Sequence, residues 1–317
     1  HEYEMNPELY AIARAGAGYN NIPVDQCAEA GICVFNTPGA NANAVRELVI
    51  CALLLSSRRI VEAIDWCKGL KGDPDALKKV EKGKSQFVGP EIAGKTLGVI
   101  GLGKVGVLAA NAAVDLGMEV LGFDPYLSLE SAWSLARRIK RASSYDEIYA
   151  NCDYITIHAP LTDETKNLVC AESIAKMRDG VRIINLARGG LVNNDDIRAA
   201  LASGKVAKYV TDFPNDAVIG KEGVIATPHL GASSAEAEDN CAIMAADEIM
   251  DYLENGNIHN SVNLPAVAME RSGVMRLCVI HKNVPAMLAN ITAVLSQDGV
   301  NVENLSNKSK GDRKSVV

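Results

Sequence analysis

Short apolar runs alternate with longer amphipathic segments along most of the chain, and this alternation predicts strands followed by helices. Apolar runs typical of buried parallel strands occur at 9–14, 32–35, 96–100, 120–123, 154–158, 181–187, 206–211 and 224–226. Segments with helical spacing of apolar residues lie at 24–30, 43–68, from about 104 onward, 143–151 and 195–203. Repeated strand–helix–strand units require right-handed crossovers, so the pattern predicts an α/β fold with a doubly wound parallel sheet.

The pattern changes after a second long helix, predicted at 233–255 and capped by Ser233 or Ser234. Beyond it, 277–281 is strand-like, 285–297 is an amphipathic helix and 300–305 is strand-like again. We therefore expect a doubly wound domain at 41–231, a smaller domain made of 1–40 and 232–262, and a partial βαβ module at 274–317.

A glycine-rich turn, G-x-G-x-x-G, follows the strand at 96–100 and opens a helix. Gly101 permits the tight turn, Gly103 lets the backbone approach a pyrophosphate, and Gly106 lets helix and strand pack closely. The helix that opens at Lys104 and Val105 aims unpaired N–H groups at the phosphates. The turn therefore predicts a dinucleotide site, with an ordinary glycine-rich loop as the alternative.

An acid closes the next strand. Asp124 lies eighteen residues after Gly106, about where a carboxylate accepts hydrogen bonds from the adenosine ribose hydroxyls. Because that charge would repel a 2′-phosphate, NAD is favoured over NADP. Strand, turn, helix, strand and acid occur in this order, which favours cofactor binding over the alternative.

Three polar residues follow separate strands of the same predicted sheet, where loops face a ligand crevice. Arg188 suits bidentate capture of a carboxylate. His229 can exchange a proton near neutrality, as hydride transfer at a C–OH carbon requires. Asp216 could accept a hydrogen bond from that imidazole. The alternatives are a surface ion pair for the arginine, a structural histidine and a loop acid.

Two further segments lie at this edge of the predicted sheet. Asp212 ends a strand and could meet the nicotinamide side of the cofactor, or be an ordinary turn residue. The segment 158–161, which includes Ala159, could wall the adenosine side. The histidines are far apart and show no metal-ligand spacing, so we expect no metal.

Composition narrows the possible partners. The 317 residues are 48% hydrophobic and 22% charged, which suits two or more globular domains. A net charge of −7 without a long basic run argues against nucleic acid and anionic membranes as partners. The eight cysteines form no C-x-x-C pair, and no apolar run approaches a membrane span, so we expect a reduced, cytoplasmic protein. Because the chain starts at His1, we expect a missing N-terminal piece.

Seven segments together resemble the D-2-hydroxyacid dehydrogenase family: RAGAGYNNI at 14–22, FNTPGANANAVREL at 35–48, GLGKVG at 101–106, HAPLTDET at 158–165, NLARGG at 185–190, DFPND at 212–216 and TPHLGAS at 227–233. The first two resemble the members that oxidise phosphoglycerate. This resemblance implies a nucleotide domain inserted in a flavodoxin-like substrate domain. It also implies NAD-dependent oxidation of 3-phospho-D-glycerate to 3-phosphohydroxypyruvate, the first step of phosphorylated serine biosynthesis.

The resemblance also implies roles for individual residues. The catalytic trio falls on Arg188, Asp216 and His229, with one departure: the family acid is usually Glu, five residues beyond the Asp at 212, whereas here Asp216 is four beyond. Substrate would be held by these catalytic groups and by Arg14, near its phosphate, Ala15, Gly16 and Asn41. Besides the glycine turn and Asp124, cofactor contacts would fall on Ala17, Ala159, Leu186, Asp212 and Gly231.

Residues 276–317 resemble the opening half of an ACT domain, a module that often binds amino acids. A serine effector would then meet His281, Asn283 and Asn301, unless the first and last are turn residues. The wide apolar face of the helix predicted at 43–57 packs either on the sheet or on another subunit, which makes it a candidate face of a homodimer or higher homo-oligomer.

Three other functions compete. One is a hydroxypyruvate or glyoxylate reductase of the same family. Another is a non-catalytic NAD(H)-sensing protein with this fold, like the family's transcriptional corepressors. A third is that the shortened chain is inactive.

Overall fold

A computed structural model describes residues 6, 8–272, 274–311 and 313–316 of the chain. It divides into two compact units. One unit contains the described residues up to Asn41 together with those from Ser234 onward, and the other runs from Ala42 to Ser233. The second unit is therefore an insertion in the first along the sequence.

The first unit begins with two parallel strands, β1 (Ala11–Arg14) and β2 (Cys33–Asn36), joined through α1 (Val24–Glu29). Residues 33–35 of β2 are fully buried, which explains why an uninterrupted apolar run forms this strand. The sequence predicts a flavodoxin-like domain here, and two strands of its sheet lie among the described residues.

The unit from Ala42 to Ser233 is built on one seven-stranded sheet in which every pairing is parallel. In order across the sheet the strands are β5 (Lys140–Arg141), β4 (Glu119–Phe123), β3 (Thr96–Ile100), β6 (Tyr154–Ile157), β7 (Val181–Asn185), β8 (Val206–Thr211) and β9 (Val224–Ala226). The order reverses between β3 and β6. This reversal confirms the doubly wound prediction, and it marks the place where such sheets bind ligands.

Three helices precede the first strand of this sheet along the chain: α2 (Ala42–Ser57), α3 (Ile60–Lys68) and α4 (Ala76–Gly83). The others lie between its strands: α5 (Lys104–Asp115), α6 (Leu129–Ser134), α7 (Tyr145–Asn151), α8 (Ala171–Lys176) and α9 (Asn194–Ala202). Both faces of the sheet are covered, because neighbouring residues of one strand belong to different apolar clusters. Ile183 packs in one cluster and Ile184 in the other. Val49, Ala52 and Leu53 of α2 belong to the second cluster, so one face of this helix packs on its own sheet.

The first unit resumes with α10 (Ala235–Asn255). The ring of Tyr252 on this helix meets Phe35 of β2 edge-on, with the ring centroids 5.6 Å apart. This contact joins the last long helix to the first sheet within one core. Within the part of the chain that the structure describes, no helix combines the length and apolarity needed to cross a membrane.

The C-terminal part corrects one sequence prediction. Strand β10 (Val279–Lys282) and helix α11 (Met287–Gln297) form as expected, but residues 300–305 are not a strand. The next strands are β11 (Asn307–Lys310) and β12 (Arg313–Val316), and β12 pairs antiparallel with both β10 and β11.

The physical reason lies in backbone pairing. Gly311, with φ of +62°, permits a tight turn, so two polar segments pair as a hairpin and satisfy their ladder groups. The apolar side chains of 300–305 line a cavity of about 470 Å³ instead. The strands flanking α11 are separated by β12, so the ACT-type βαβ assignment remains a prediction.

We predict that Ser234→Ala destabilises α10 by about 1 kcal/mol. The Ser234 hydroxyl accepts a hydrogen bond from the Ala237 N–H at 3.1 Å, so its removal leaves a helix N-terminus uncapped. The measurement is urea unfolding, and Ser233→Ala is the matched control because Ser234, not its neighbour, is the N-cap residue. Equal unfolding midpoints for the two variants would contradict the assignment.

Candidate cofactor and hydride-transfer site

The glycine turn lies where the sheet order reverses. Gly101 follows β3 with φ of +88° and donates its N–H to the Phe123 carbonyl at 2.9 Å. A Cβ on Gly106 would lie 1.9 Å from the Gly101 carbonyl oxygen, so only glycine fits there. A Cβ on Gly103 would meet nothing within 4 Å. The turn is thus closed on the protein side and open at Gly103, as the approach of a pyrophosphate requires.

The first turn of α5 is available to an anion. Gly103 is the N-cap residue and has no side chain to cap the helix, so Lys104 and Val105 begin α5 with backbone N–H groups that lack an intrahelical partner. The Lys104 ammonium lies 2.7 Å from a carboxylate oxygen of Glu130 on α6. This pair links the start of α5 to α6, and because both side chains are exposed it adds little stability.

His158 lies directly behind the turn. Its N–H donates to the Ile100 carbonyl at 2.7 Å, and its Nε2 lies 3.0 Å from the Thr156 hydroxyl. A Cβ on Gly101 would come within 2.8 Å of the His158 carbonyl. Burial lowers the pKa of His158 to about 4, so the ring is neutral at physiological pH. The adjacent Ala159 is buried, and its predicted cofactor contact remains a prediction.

Asp124 joins the end of β4 to the glycine turn. Its Oδ2 accepts the Leu102 N–H at 2.8 Å, and its Oδ1 accepts the Tyr126 N–H at 2.8 Å. A carboxylate has about four acceptor positions, so both oxygens retain capacity for ribose hydroxyls. The structure therefore places this acid against the turn, as the predicted ribose contact requires.

Arg188 is presented by a loop shaped by Asn185, the last residue of β7. The buried Asn185 amide donates to the Arg188 carbonyl at 2.8 Å and accepts the N–H groups of Ala187 and Arg188 at 3.2 and 3.3 Å. The guanidinium itself is exposed and donates to the Ala187 carbonyl at 2.7 Å. Leu186 is buried in the same loop.

The loop that carries His229 is held by Asp212. This carboxylate, only 1% exposed, accepts the Thr227 hydroxyl at 2.7 Å and the N–H groups of Leu230 and Gly231 at 2.7 and 2.6 Å. The Asp212 carbonyl also accepts the His229 N–H at 3.1 Å. His229 itself has φ of +58°, a conformation rare outside glycine, which these four bonds sustain.

Asp216 does not meet His229 in the structure. It is exposed, and in the described residues its carboxylate makes neither a hydrogen bond nor an ion pair. Asn215 accepts the Ala217 N–H at 3.1 Å and bends the chain into a turn there. The imidazole packs against Phe213 instead, with the ring centroids 4.6 Å apart. The predicted orienting contact is therefore not formed.

The predicted substrate residues follow β1 and β2. Arg14 ends β1, and its guanidinium lies over Gly16: a Cβ there would be 1.6 Å from Nη1. Nη1 also donates to the Ala15 carbonyl at 3.3 Å. Ala17 follows in the same loop, and Asn41 directly precedes α2, half-buried. Their roles remain predictions.

The predicted effector residues lie in the C-terminal part. The Nδ1 atom of His281 lies 2.8 Å from the Lys282 carbonyl, and Asn283 donates to the Gly311 carbonyl at 3.2 Å. Asn301 lines the apolar cavity instead. The structure joins none of the three to another by a hydrogen bond, so the effector site remains a prediction. Among the described residues no three His, Cys, Asp or Glu side chains gather as metal ligands.

Sequence reasoning missed the residues that shape these loops. Asn36 and Asn185 are the last residues of β2 and β7, and Thr227 directly follows β9. A short polar side chain at the end of an apolar strand is the available signal, because such side chains bond to nearby backbone groups.

Comparisons with known proteins agree with this geometry. Residues 50–231 match the family model described as D-isomer specific 2-hydroxyacid dehydrogenase, NAD binding domain. A D-3-phosphoglycerate dehydrogenase of Methanocaldococcus jannaschii is 34% identical over 304 residues, which are 94% of this chain and 55% of that protein. A hydroxypyruvate reductase of Thermotoga maritima is 37% identical over 79% of each chain.

Solved structures share the fold. The NAD⁺-bound 3-phosphoglycerate dehydrogenase of Entamoeba histolytica superposes with a TM-score of 0.64 at 30% identity, over 81% of this chain and 76% of that one. The chain spans about half the length of several of the phosphoglycerate dehydrogenases it matches, 55% and 48% for two of them.

We predict that Gly103→Ala and Gly106→Ala impair NAD binding for different reasons. The Gly106 variant clashes with the Gly101 carbonyl and loses about 1–3 kcal/mol of stability. The Gly103 variant has room for its methyl group and retains the fold, but the methyl group occupies the pyrophosphate approach and weakens NADH binding at least tenfold. Thermal unfolding and NADH fluorescence titration measure the two effects. Tight NADH binding by Gly103→Ala would contradict this site.

We predict that stability falls as the pH drops from about 6.5 to about 4. In this window the unfolded chain protonates His158 while the folded chain keeps it neutral, so acid favours unfolding by up to about 1.4 kcal/mol per pH unit. Urea unfolding at several pH values measures the slope. His158→Gln should flatten it, whereas the exposed His259→Gln serves as the control. An unchanged slope in the His158→Gln variant would show that the pKa of His158 is not lowered in the folded chain.

Proposed function

Because the chain belongs to the family of D-isomer specific 2-hydroxyacid dehydrogenases, we propose that it oxidises 3-phospho-D-glycerate to 3-phosphohydroxypyruvate. The observation that carries the proposal is one sheet edge that presents the glycine turn, Arg188 and His229 on loops after separate strands. The phosphorylated substrate is supported by the curated relatives, several of which are D-3-phosphoglycerate dehydrogenases at 33–36% identity.

The residues present fit NAD. The open side of Gly103, the uncapped start of α5 and the remaining acceptor capacity of Asp124 would hold its pyrophosphate and adenosine ribose. When bound, NAD supplies the acceptor for the hydride that leaves C2 of the substrate. The remaining chemistry belongs to the side chains of this chain.

Proton transfer is the task of His229. As C2 loses its hydride, the C2 hydroxyl proton passes to the imidazole of His229, and the product leaves as a ketone. Arg188 binds the substrate carboxylate with its planar fork and stabilises the developing carbonyl oxygen. Asp212 keeps His229 in place through the backbone of its loop. Because Asp216 does not contact the ring, we do not assign it the orienting role.

Substrate specificity is assigned to the loop after β1. By resemblance to the family, Arg14 would bind the phosphate, and Ala15, Gly16 and Asn41 would contact the substrate. The guanidinium of Arg14 is planar and permanently charged, which suits bidentate recognition of phosphate.

A homodimer is supported by the exposed part of α2 and α3. Leu54, Ile60, Val61 and Ile64 are large apolar residues with substantial exposure, although the opposite face of α2 packs on its sheet. A symmetric pair of such faces would bury them.

Hydroxypyruvate reduction is the second candidate. The match covers 79% of the Thermotoga maritima relative named hydroxypyruvate reductase, against 55% of the longer Methanocaldococcus jannaschii phosphoglycerate dehydrogenase. Hydroxypyruvate lacks the phosphate group of 3-phosphohydroxypyruvate, so the role of Arg14 distinguishes the two candidate functions.

We predict that the chain oxidises NADH with 3-phosphohydroxypyruvate and that Arg14→Ala raises its KM about 100-fold, because one charge-assisted contact is lost. The KM for unphosphorylated hydroxypyruvate should change less than threefold in the same variant. Arg14→Lys, which keeps the charge without the fork, should lie between. The KM values of the unaltered chain, Arg14→Ala and Arg14→Lys are measured from the steady-state loss of NADH absorbance.

The outcomes separate the candidates. If Arg14→Ala raises the KM equally for both substrates, Arg14 does not contact the phosphate. If the unaltered chain prefers hydroxypyruvate, the reductase function is favoured. Tight NADH binding without turnover of any 2-keto acid would favour an NAD(H) sensor.

A further inference from the structure

The loop at 15–17 is held by the end of the neighbouring strand. The Gly16 N–H donates to the Thr37 hydroxyl at 2.7 Å, and the Thr37 N–H donates back to the Gly16 carbonyl at 3.2 Å. The Asn36 amide donates to the Ala17 carbonyl at 2.7 Å. Three hydrogen bonds from two adjacent residues thus fix a loop that lies outside the regular strands.

The side chain of Thr37 is buried against this loop. Its side chain is 0% exposed, and its hydroxyl is the polar atom that meets the Gly16 N–H. A buried donor without an acceptor is costly, so the loss of this hydroxyl would force Gly16 to move toward water. Gly16 has φ of +142°, a backbone conformation that needs glycine and depends on its surroundings.

The same residues continue into a series of polar contacts that ends at a buried glutamate. The Asn36 N–H donates to the Asn260 carbonyl at 3.4 Å, and the Asn260 amide donates to Glu248 Oε1 at 2.6 Å. Glu248 lies on α10 and is only 7% exposed. The loop at 15–17 is therefore anchored through β2 to the longest helix of its unit.

The position of Arg14 depends on this anchor. Its guanidinium lies over the Cα of Gly16, close enough that a Cβ there would overlap Nη1. A shift of Gly16 would therefore move the surface on which the guanidinium rests. Neither Asn36 nor Thr37 carries a charge, and both side chains are bonded to the loop, so neither supplies the positive charge that Arg14 offers to a phosphate.

We propose that Asn36 and Thr37 are positioning residues, which fix the loop at 15–17 so that Arg14 meets the phosphate of the substrate. The proposal rests on the proposed function, because it assigns these residues to phosphate recognition. Uniform binding of a non-reacting group changes KM with little change in kcat, so the effect of these residues belongs in KM.

The test is steady-state kinetics of Thr37→Val, which keeps the shape of the side chain and removes the hydroxyl. We expect the KM for 3-phosphohydroxypyruvate to rise about tenfold, with kcat and the Kd for NADH within twofold of the unaltered chain. Thr37→Ser should restore the KM. Thr292→Val is the matched control, since that hydroxyl bonds only within α11.

A double-mutant cycle separates positioning from general stability. In an Arg14→Ala background Thr37→Val should add less than twofold to the KM, because the group being positioned is gone. A full additional tenfold increase, or failure of Thr37→Ser to restore the KM, would overturn the proposal.

Amide hydrogen exchange tests the contact between Thr37 and Gly16 without any substrate. In Thr37→Val, exchange at Gly16 should accelerate at least tenfold while amides of the 42–233 unit are unchanged. Unchanged exchange at Gly16 would refute the anchor even in an active enzyme. If exchange accelerates and the unaltered chain does not turn over 3-phosphohydroxypyruvate, the anchor stands and both the proposed function and the phosphate role fail.

Discussion

The unit from Ala42 to Ser233 depends on the close contact between Gly106 and the Gly101 carbonyl. With 1.9 Å between that oxygen and a hypothetical Cβ, strand β3 and helix α5 are as close as backbones can come. This closeness sets where α5 begins, and therefore where its unpaired N–H groups lie. Residues after the two neighbouring strands contact the same turn. Asp124, after β4, accepts a hydrogen bond from it, and the backbone of His158, after β6, packs against Gly101.

A second theme is the use of buried polar side chains to shape loops. Asn185, Asp212 and Thr37 are each at most 1% exposed, and each bonds to the backbone of a loop that carries a candidate functional group. Loops at a sheet edge cannot satisfy all their N–H groups through regular ladders, so short polar side chains supply the missing acceptors. The exposed groups Arg188 and His229 and the loop of Arg14 are thereby held by buried ones.

The segment from Asp212 to Asp216 determines which side chain lies next to His229. The segment from Asp212 to Asp216 turns at Asn215, which directs the Asp216 carboxylate to solvent and leaves Phe213 against the imidazole. His229, the proposed proton-transfer group, is thus held by hydrogen bonds to the backbone of its loop and by an aromatic contact. This arrangement distinguishes the chain from the Arg–acid–His pattern that the family resemblance implies.

Local sequence patterns were enough to predict the doubly wound sheet, the glycine turn with Asp124, and bounds such as 206–211 and 224–226, which match β8 and β9 residue for residue. Periodicity and glycine sterics are local, so a single chain reveals them. Short elements such as α6, α8 and β5 were missed because few residues carry their pattern. Three features depend on contacts between distant segments. They are the absence of a strand at 300–305, the exposure of the Asp216 carboxylate, and the hydrogen bond between Thr37 and Gly16. Backbone pairing and burial between distant segments settle them, and no local pattern records which partner a polar group will find.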